Sequence, residues 1–246
     1  MVRGALARRG EADMRSITAI DFHAHCLPGV DHGSASLAVG VAQRRLMREA
    51  GLSAVVATPH FYAHKESSID GFLDRRAAAA RDLLSEEPEG PTLYLGAEVL
   101  VYPGLSDLLG LERLCIEGTD ILLLELPLGG WSRRCVDEVE EIAHRGITPI
   151  IAHIDRYSIR DLSELFDSNR LLYQINAVAL RGLSRRAAYF RRMLASGAIS
   201  AVGSDLHGDH PAAYRGFLSA LSRTRGASLA LEHSREILSV ARPATL

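Results

Sequence analysis

The stretch Ile17-Thr-Ala-Ile-Asp-Phe-His-Ala-His25 decides how the rest of the chain is read. A short apolar run, Ile17–Phe22, ends in polar residues, and His23 and His25 are two apart, so in an extended chain they project from one face. The same grammar recurs. Further near-continuously apolar runs lie at Ala54–Thr58, Thr92–Ala97, Ile121–Leu126, Thr148–Ala152, Leu171–Ile175 and Ile199–Gly203. Such runs are expected of strands buried on both faces of a parallel sheet.

Helical patterns separate these runs. After Ser34 and Ser36, both suited to cap a helix, Ala38, Val41, Ala42 and Leu46 mark one helical face, and Gly51 stops the segment. Ser132 caps a second pattern carrying Val136, Val139, Ile142 and Ala143, stopped by Gly146. Further helices are predicted around Ile69–Ser85, Ser184–Ser196, Ala212–Thr224 and Leu229–Val240. Seven strands alternating with helices define an α/β protein. No repeat, low-complexity linker or shift in composition divides the chain. Residues 16–246 are therefore read as one domain, preceded by a disordered extension over residues 1–15.

Bulk properties narrow the function. The 246 residues carry a formal charge of −2, so no net field would collect nucleic acid or an acidic membrane. No run is apolar and long enough to cross a bilayer. The arginines at 3, 8, 9 and 15 are followed by no apolar stretch of the kind a secretory signal needs, and Met14 is an alternative start. Three cysteines without a pairing pattern suit a reducing cytoplasm. A cytoplasmic location is the expectation.

The polar residues cluster where the strands end. The first run is followed by Asp31 and His32; the second leads to His60, the third to Glu98, the fourth carries Glu125, the fifth ends at His153, and the last at Asp205 and His207. In a parallel α/β barrel the C-terminal strand ends converge on one mouth. Any one of these histidines is more often a hydrogen-bonded structural residue than a ligand, and His-x-His alone occurs often by chance. Burying so many unpaired charges on six strands without a cation would be very costly, so the set points to a metal centre. Nitrogen and oxygen donors without thiolate suit Mn²⁺, Fe or Zn²⁺, and their number suits two or three ions.

Several stretches together resemble the polymerase-and-histidinol-phosphatase (PHP) superfamily. Within it they are most similar to the bacterial manganese-dependent protein tyrosine phosphatases of capsule and exopolysaccharide operons. The matching stretches are Asp-Phe-His-Ala-His-Cys-Leu-Pro-Gly-Val-Asp-His-Gly (21–33), Val-Val-Ala-Thr-Pro-His (55–60), Leu-Gly-Ala-Glu (95–98) and Leu-Leu-Glu-Leu-Pro (123–127). Gly-Ile-Thr-Pro-Ile-Ile-Ala-His-Ile-Asp-Arg-Tyr (146–157), Gln-Ile-Asn (174–176) and Gly-Ser-Asp-Leu-His (203–207) complete the series. The block at 146–157 is the most specific to this branch.

The resemblance implies a distorted seven-stranded (β/α) barrel of TIM-like type with its metal site at the C-terminal strand ends. It implies His23, His25, His60, Glu98, Glu125, His153, Asp205 and His207 as ligands, and Mn²⁺ as the metal, with Fe, Zn²⁺ or Mg²⁺ as alternatives. The chain departs from the family pattern at Asp31-His32-Gly33, where the branch usually reads Asp-Asp-Gly with its second position a ligand. Histidine holds a comparable place elsewhere in the superfamily, so His32 joins the ligand set and Asp31 does not. After His207 the family tends to carry a phosphate-contacting arginine; here Gly-Asp-His-Pro follows, leaving His210 or Arg215 as substitutes.

The reaction implied is hydrolysis of a phosphate monoester on a phosphotyrosine protein, the tyrosine-rich tail of a polysaccharide-synthesis kinase. A small-molecule phosphatase of histidinol phosphate or nucleotide type, and a catalytically silent PHP regulatory domain, are the competing readings. Arg156 is placed on the phosphoryl oxygens, in preference to a surface pairing with Asp155 or Asp161. His210 or Asp209 is placed as proton donor. Cys26 superficially resembles the nucleophile of cysteine phosphatases, but that loop needs an arginine at position 32, which is histidine; a buried structural thiol is expected. His144 and His233 are read as surface residues, and His64, in the long loop after His60, either lines the site or is an ordinary loop residue. The pairs Arg185-Arg186 and Arg191-Arg192 are read as a solvated helix face.

Overall fold

A computed structural model describes residues 19–166, 171–208 and 210–245. The expected extension over residues 1–15, and Asp209, lie outside them. The strands are β1 (Ala19–Ala24), β2 (Leu52–Ala57), β3 (His60–Phe61), β4 (Thr92–Leu95), β5 (Glu98–Leu100), β6 (Ile121–Glu125), β7 (Thr148–Ile151), β8 (Leu172–Asn176) and β9 (Ala201–Gly203). The helices are α1 (Leu37–Glu49), α2 (Ile69–Glu86), α3 (Arg133–His144), α4 (Ile159–Phe166), α5 (Arg185–Ala195), α6 (Pro211–Arg223) and α7 (Ala227–Val240).

Every pairing between these strands is parallel, in the orders β1-β2-β4 and β3-β5-β6-β7-β8-β9. The strand segments outnumber the seven apolar runs because two of those runs are followed, after a break, by a further short strand. Thr58-Pro59 separates β2 from β3, since proline cannot donate to a ladder. Gly96-Ala97 separates β4 from β5. One register nevertheless runs through both breaks: Ala54 faces Thr92, Ala57 faces Leu95 and His60 faces Glu98. The sheet curls until its ends meet. Asp205 N donates to His23 O at 2.8 Å, His25 N donates to Leu206 O at 3.1 Å, and Ala24 bridges Leu206.

Three helices start on a side-chain cap, whereas Ser132 stands at the N-terminus of α3 without a capping side-chain hydrogen bond. The Ser36, Ser68 and Ser184 side chains accept from the backbone N–H three residues on, and Pro211 opens α6. α4 was not foreseen from the sequence, because it is short and follows directly on the site loop. The apolar faces of strands and helices form one core cluster that includes Phe22, Phe72, Leu122, Leu124, Ile151 and Phe190. That core places the strand ends on a rigid frame. No helix among the described residues is long and apolar enough to cross a membrane.

Candidate metal centre

The polar residues singled out at the strand ends are delivered by six parts of this frame. β1 brings His23 and His25, both fully buried. His60 begins β3 and Glu98 begins β5, so the in-register pair His60–Glu98 sits just past the two strand breaks. Glu125 ends β6, His153 follows β7, and Asp205 and His207 follow β9. His153 (φ 30°) and Asp205 (φ 54°) are the non-glycine residues with left-handed backbone among those described, a local strain of the kind that gathers at functional sites.

The donors converge as three overlapping groups: His25, His60 and His207; His23, His25 and Asp205; and His60, Glu98 and Glu125. Within each group, one donor atom per residue lies within 4.8 Å of the others. Glu98 is the hub. Its Oε2 is 2.9 Å from His60 Nδ1, 3.2 Å from His25 Nε2 and 3.4 Å from His23 Nε2, while its Oε1 is 2.6 Å from His153 Nε2. His153 Nε2 is also 3.6 Å from Glu125 Oε1. The His32 ring lies 4.9 Å from that of His60 and 4.7 Å from that of His207, centroid to centroid. His32 is thus at the rim of the cluster, outside the three groups.

Three residues hold the donors in place. Asp31 Oδ2 accepts from His25 Nδ1 at 2.6 Å and from His60 N at 2.9 Å. Gln174 Oε1 lies 3.3 Å from His23 Nδ1 and accepts from His153 N at 2.5 Å. Asp21 accepts from Ser204 N, Ser204 Oγ, His23 N and Tyr214 OH, tying β1 to the loop after β9. Sequence reasoning assigned none of these roles. The available signal was a buried acid or amide in an otherwise apolar run: Asp21 in the first and Gln174 in the sixth.

These partners leave the centre with donors that need a cation. With Nδ1 of His23 and of His25 donating to Gln174 and Asp31, both Nε2 atoms carry lone pairs, and they face each other at 3.1 Å. His60 Nδ1 and Glu98 Oε2 are buried and close, yet neither has a hydrogen bond. Burial disfavours charge on His23, but Glu98 and Asp205 outweigh it and raise its pKa. Burial likewise opposes charge on His25, and Asp205, Asp31 and Glu98 raise it well above the ordinary value. Without metal the centre therefore takes up protons, which bound cations would displace. Burial, with His25 beside it, pushes His207 down to about 4, leaving a neutral imidazole with a free lone pair at neutral pH. The donors present fit divalent ions.

Around the centre the outcomes differ. Arg156, in the 3₁₀ turn after His153, ion-pairs with Asp205 Oδ2 rather than with Asp155 or Asp161, which brings its guanidinium to the mouth. Asn176 Nδ2 donates to the same oxygen at 3.0 Å. His210 and Arg215 are exposed on α6 and its cap, and the three ligand groups form without them. Cys26 is 1 % exposed and burial pushes its thiol up to about 12, so it offers no thiolate. His64 and His144 are exposed and His233 partly so. The arginine pairs of α5 do more than face solvent: Arg186 donates to Asp155 O and Tyr157 O, and Arg191 to Leu180 O and Gly182 O.

Fold and site together define an α/β protein that presents a histidine–carboxylate centre at the ends of a curled parallel sheet. The chain belongs to the CpsB/CapC family of capsular polysaccharide synthesis, whose sequence model matches residues 19–215. Tyrosine-protein phosphatase YwqE of Bacillus subtilis (strain 168) is 25 % identical over 200 residues, covering 76 % of this chain and 77 % of that protein. Tyrosine-protein phosphatase CpsB of Streptococcus pneumoniae is 26 % identical over 211 residues, covering 76 % and 82 %. The fold also matches a solved structure from work on these two proteins, described there as unique metal-dependent tyrosine phosphatases. The TM-score is 0.73 at 22 % identity, over 93 % of this chain and 96 % of that one. A more distant likeness of fold, TM-score 0.51 at 10 % identity, is to an inactive dihydroorotase-like domain of a Chaetomium thermophilum CAD-like multifunctional protein. It covers 91 % of this chain and 79 % of that one.

Proposed function

We propose that this protein is a metal-dependent protein-tyrosine phosphatase of the cytoplasm that acts on the phosphorylated tail of a polysaccharide-synthesis kinase. On this reading residues 16–246 form a single PHP-type barrel of seven staves. The observation that carries it is the sharing of His25 and His60 among three overlapping ligand groups, which suits two or three ions, Mn²⁺ first. His23, His25, His32, His60, Glu98, Glu125, His153, Asp205 and His207 would hold them. Bound ions would supply an activated water near neutral pH and positive charge for the phosphoryl oxygens.

The chain supplies the rest. Arg156, at the mouth beside Asp205, donates to the non-bridging oxygens, whose charge spreads as the ester bond breaks. Gln174 and Asp31 fix the His23 and His25 rings, so the donors need no reorganisation. A tyrosine leaving group has a pKa of about 10, so proton donation helps without being essential. His210, three residues past His207, is the group assigned to it.

The test is a phosphatase assay on chelator-stripped protein with phosphotyrosine peptide, phosphoserine peptide and histidinol phosphate, each with and without Mn²⁺. Turnover of phosphotyrosine peptide restored by the metal is expected. Restored turnover of histidinol phosphate alone would replace this reading with a small-molecule phosphatase.

A further inference from the structure

Beside the metal centre lies a cavity of about 390 Å³ lined by Ala63, His64 and Tyr102. None of these residues belongs to the ligand groups, yet each continues a ligand-bearing strand. His60, Tyr62 and His64 are two apart, as are Glu98, Leu100 and Tyr102. β3 ends at Phe61 and the chain turns over residues 63–65, with Lys65 N donating to Tyr62 O at 2.8 Å, while Tyr102 follows β5. His64 and Tyr102 both line the cavity.

An aromatic path connects the two places. The Tyr62 ring is stacked with His60, centroids 5.0 Å apart and planes inclined by 19°. The ring of His64 follows at 6.0 Å from Tyr62. Lys65 Nζ sits 4.5 Å from the Tyr62 centroid, a cation–π contact that adds to the stacking on His60. The cavity that His64 and Tyr102 line is thus joined to His60 of the ligand cluster through the ring of Tyr62.

We infer that this cavity is the aryl subsite of the enzyme: His64 and Tyr102, joined to the ligand cluster through Tyr62, receive the phenol ring of a phosphotyrosine ester whose phosphoryl group lies on the metal centre. The inference rests on the phosphatase reading and adds to it the source of discrimination between aryl and alkyl esters. Aromatic rings in offset or edge contact attract one another beyond what the area they bury supplies. The side chain of phosphoserine has no ring to place there. The volume is ample for a six-membered ring and leaves room for the backbone that carries it.

The test is calorimetric and independent of turnover. Manganese-loaded protein is titrated with two non-hydrolysable peptides, one carrying phosphonomethyl-phenylalanine and one the phosphonate analogue of phosphoserine. Wild type is expected to bind the aryl peptide about tenfold more tightly, a difference of about 1.4 kcal/mol. Tyr102→Ala and His64→Ala should each remove most of that preference while leaving the alkyl peptide unchanged, and Tyr102→Phe should restore it. Equal affinities in wild type, or equal weakening of both peptides by the alanine variants, would overturn the assignment. If Tyr102→Ala does not fold, His64→Ala, whose side chain is exposed, decides the matter. A parallel assay of phosphotyrosine peptide hydrolysis by wild type judges the phosphatase reading separately, since loss of turnover and loss of aryl preference are different results.

Discussion

Asp31 Oδ2 lies 2.6 Å from His25 Nδ1, and the same oxygen accepts from the backbone N–H of His60 at 2.9 Å. One carboxylate thus fixes the ring of one donor and the strand entry of another. Burial opposes its charge, but His25 and the two backbone donors hold its pKa below the ordinary aspartate range, so it stays ionised at neutral pH. Asp31→Asn keeps the shape and removes the charge. Metal affinity should fall about 10- to 100-fold, as is typical when the partner of a ligating histidine is lost. Titration of the stripped variant with Mn²⁺ checks it; an unchanged affinity would show that His25 needs no carboxylate behind it.

Gly203 permits the closure of the sheet beside His23. A Cβ there would stand 2.5 Å from His23 Cβ and 2.8 Å from Gln174 Nε2. Gly203→Ala should therefore destabilise by about 1–3 kcal/mol through overpacking. It should also displace His23, lowering metal affinity. Thermal unfolding with and without Mn²⁺ separates the effects: the loss of stability should be larger with metal present.

Arg156 joins Asp205 to the mouth of the site. Arg156→Lys keeps the charge and loses the planar fork that matches phosphate geometry. Hydrogen bonds to charged groups are worth about 1.5–3 kcal/mol, so kcat/KM for phosphotyrosine peptide should fall about 10- to 100-fold. Metal content, measured by elemental analysis, should stay at the wild-type level. A variant with normal kinetics would place the phosphate elsewhere.

The thiols predict behaviour in alkali. Burial pushes both Cys26 and Cys115 up to about 12, from an ordinary value of 9.0. Between those values the unfolded chain has lost these protons and the folded chain keeps them. Stability is thus unaffected by these groups below about pH 9 and falls as pH rises toward 12, by up to about 1.4 kcal/mol per pH unit for each thiol. The slope of unfolding free energy against pH above 9 should be shallower in Cys26→Ser. That variant should also retain phosphatase activity, and iodoacetamide should not label Cys26 in the folded protein at pH 8. Loss of activity in Cys26→Ser with the fold intact would return the thiol to the chemistry.

By itself the sequence determined the class of fold and which histidines and carboxylates stand at the strand ends. Apolar runs of strand length, separated by capped helical patterns, admit few arrangements other than a parallel sheet with helices packed on it. Ser36, Ser68 and Ser184 then set where three of the helices begin. His23 and His25 share a face because alternation is a property of any extended chain. Those are local rules, and local rules can be read in one dimension. What only the tertiary structure decided is long-range: that Glu98 meets donors from β1, β3 and the turn after β7, that Asp31 and Gln174 stand behind the rings, and that Arg156 pairs with Asp205 rather than with a nearer acid. The breaks at Thr58-Pro59 and Gly96-Ala97 belong to the same category, because a strand continues or stops according to what its neighbour's ladder accepts. Such contacts depend on register and on the curl that brings β9 back to β1, and both are fixed only when all the strands pack around one core.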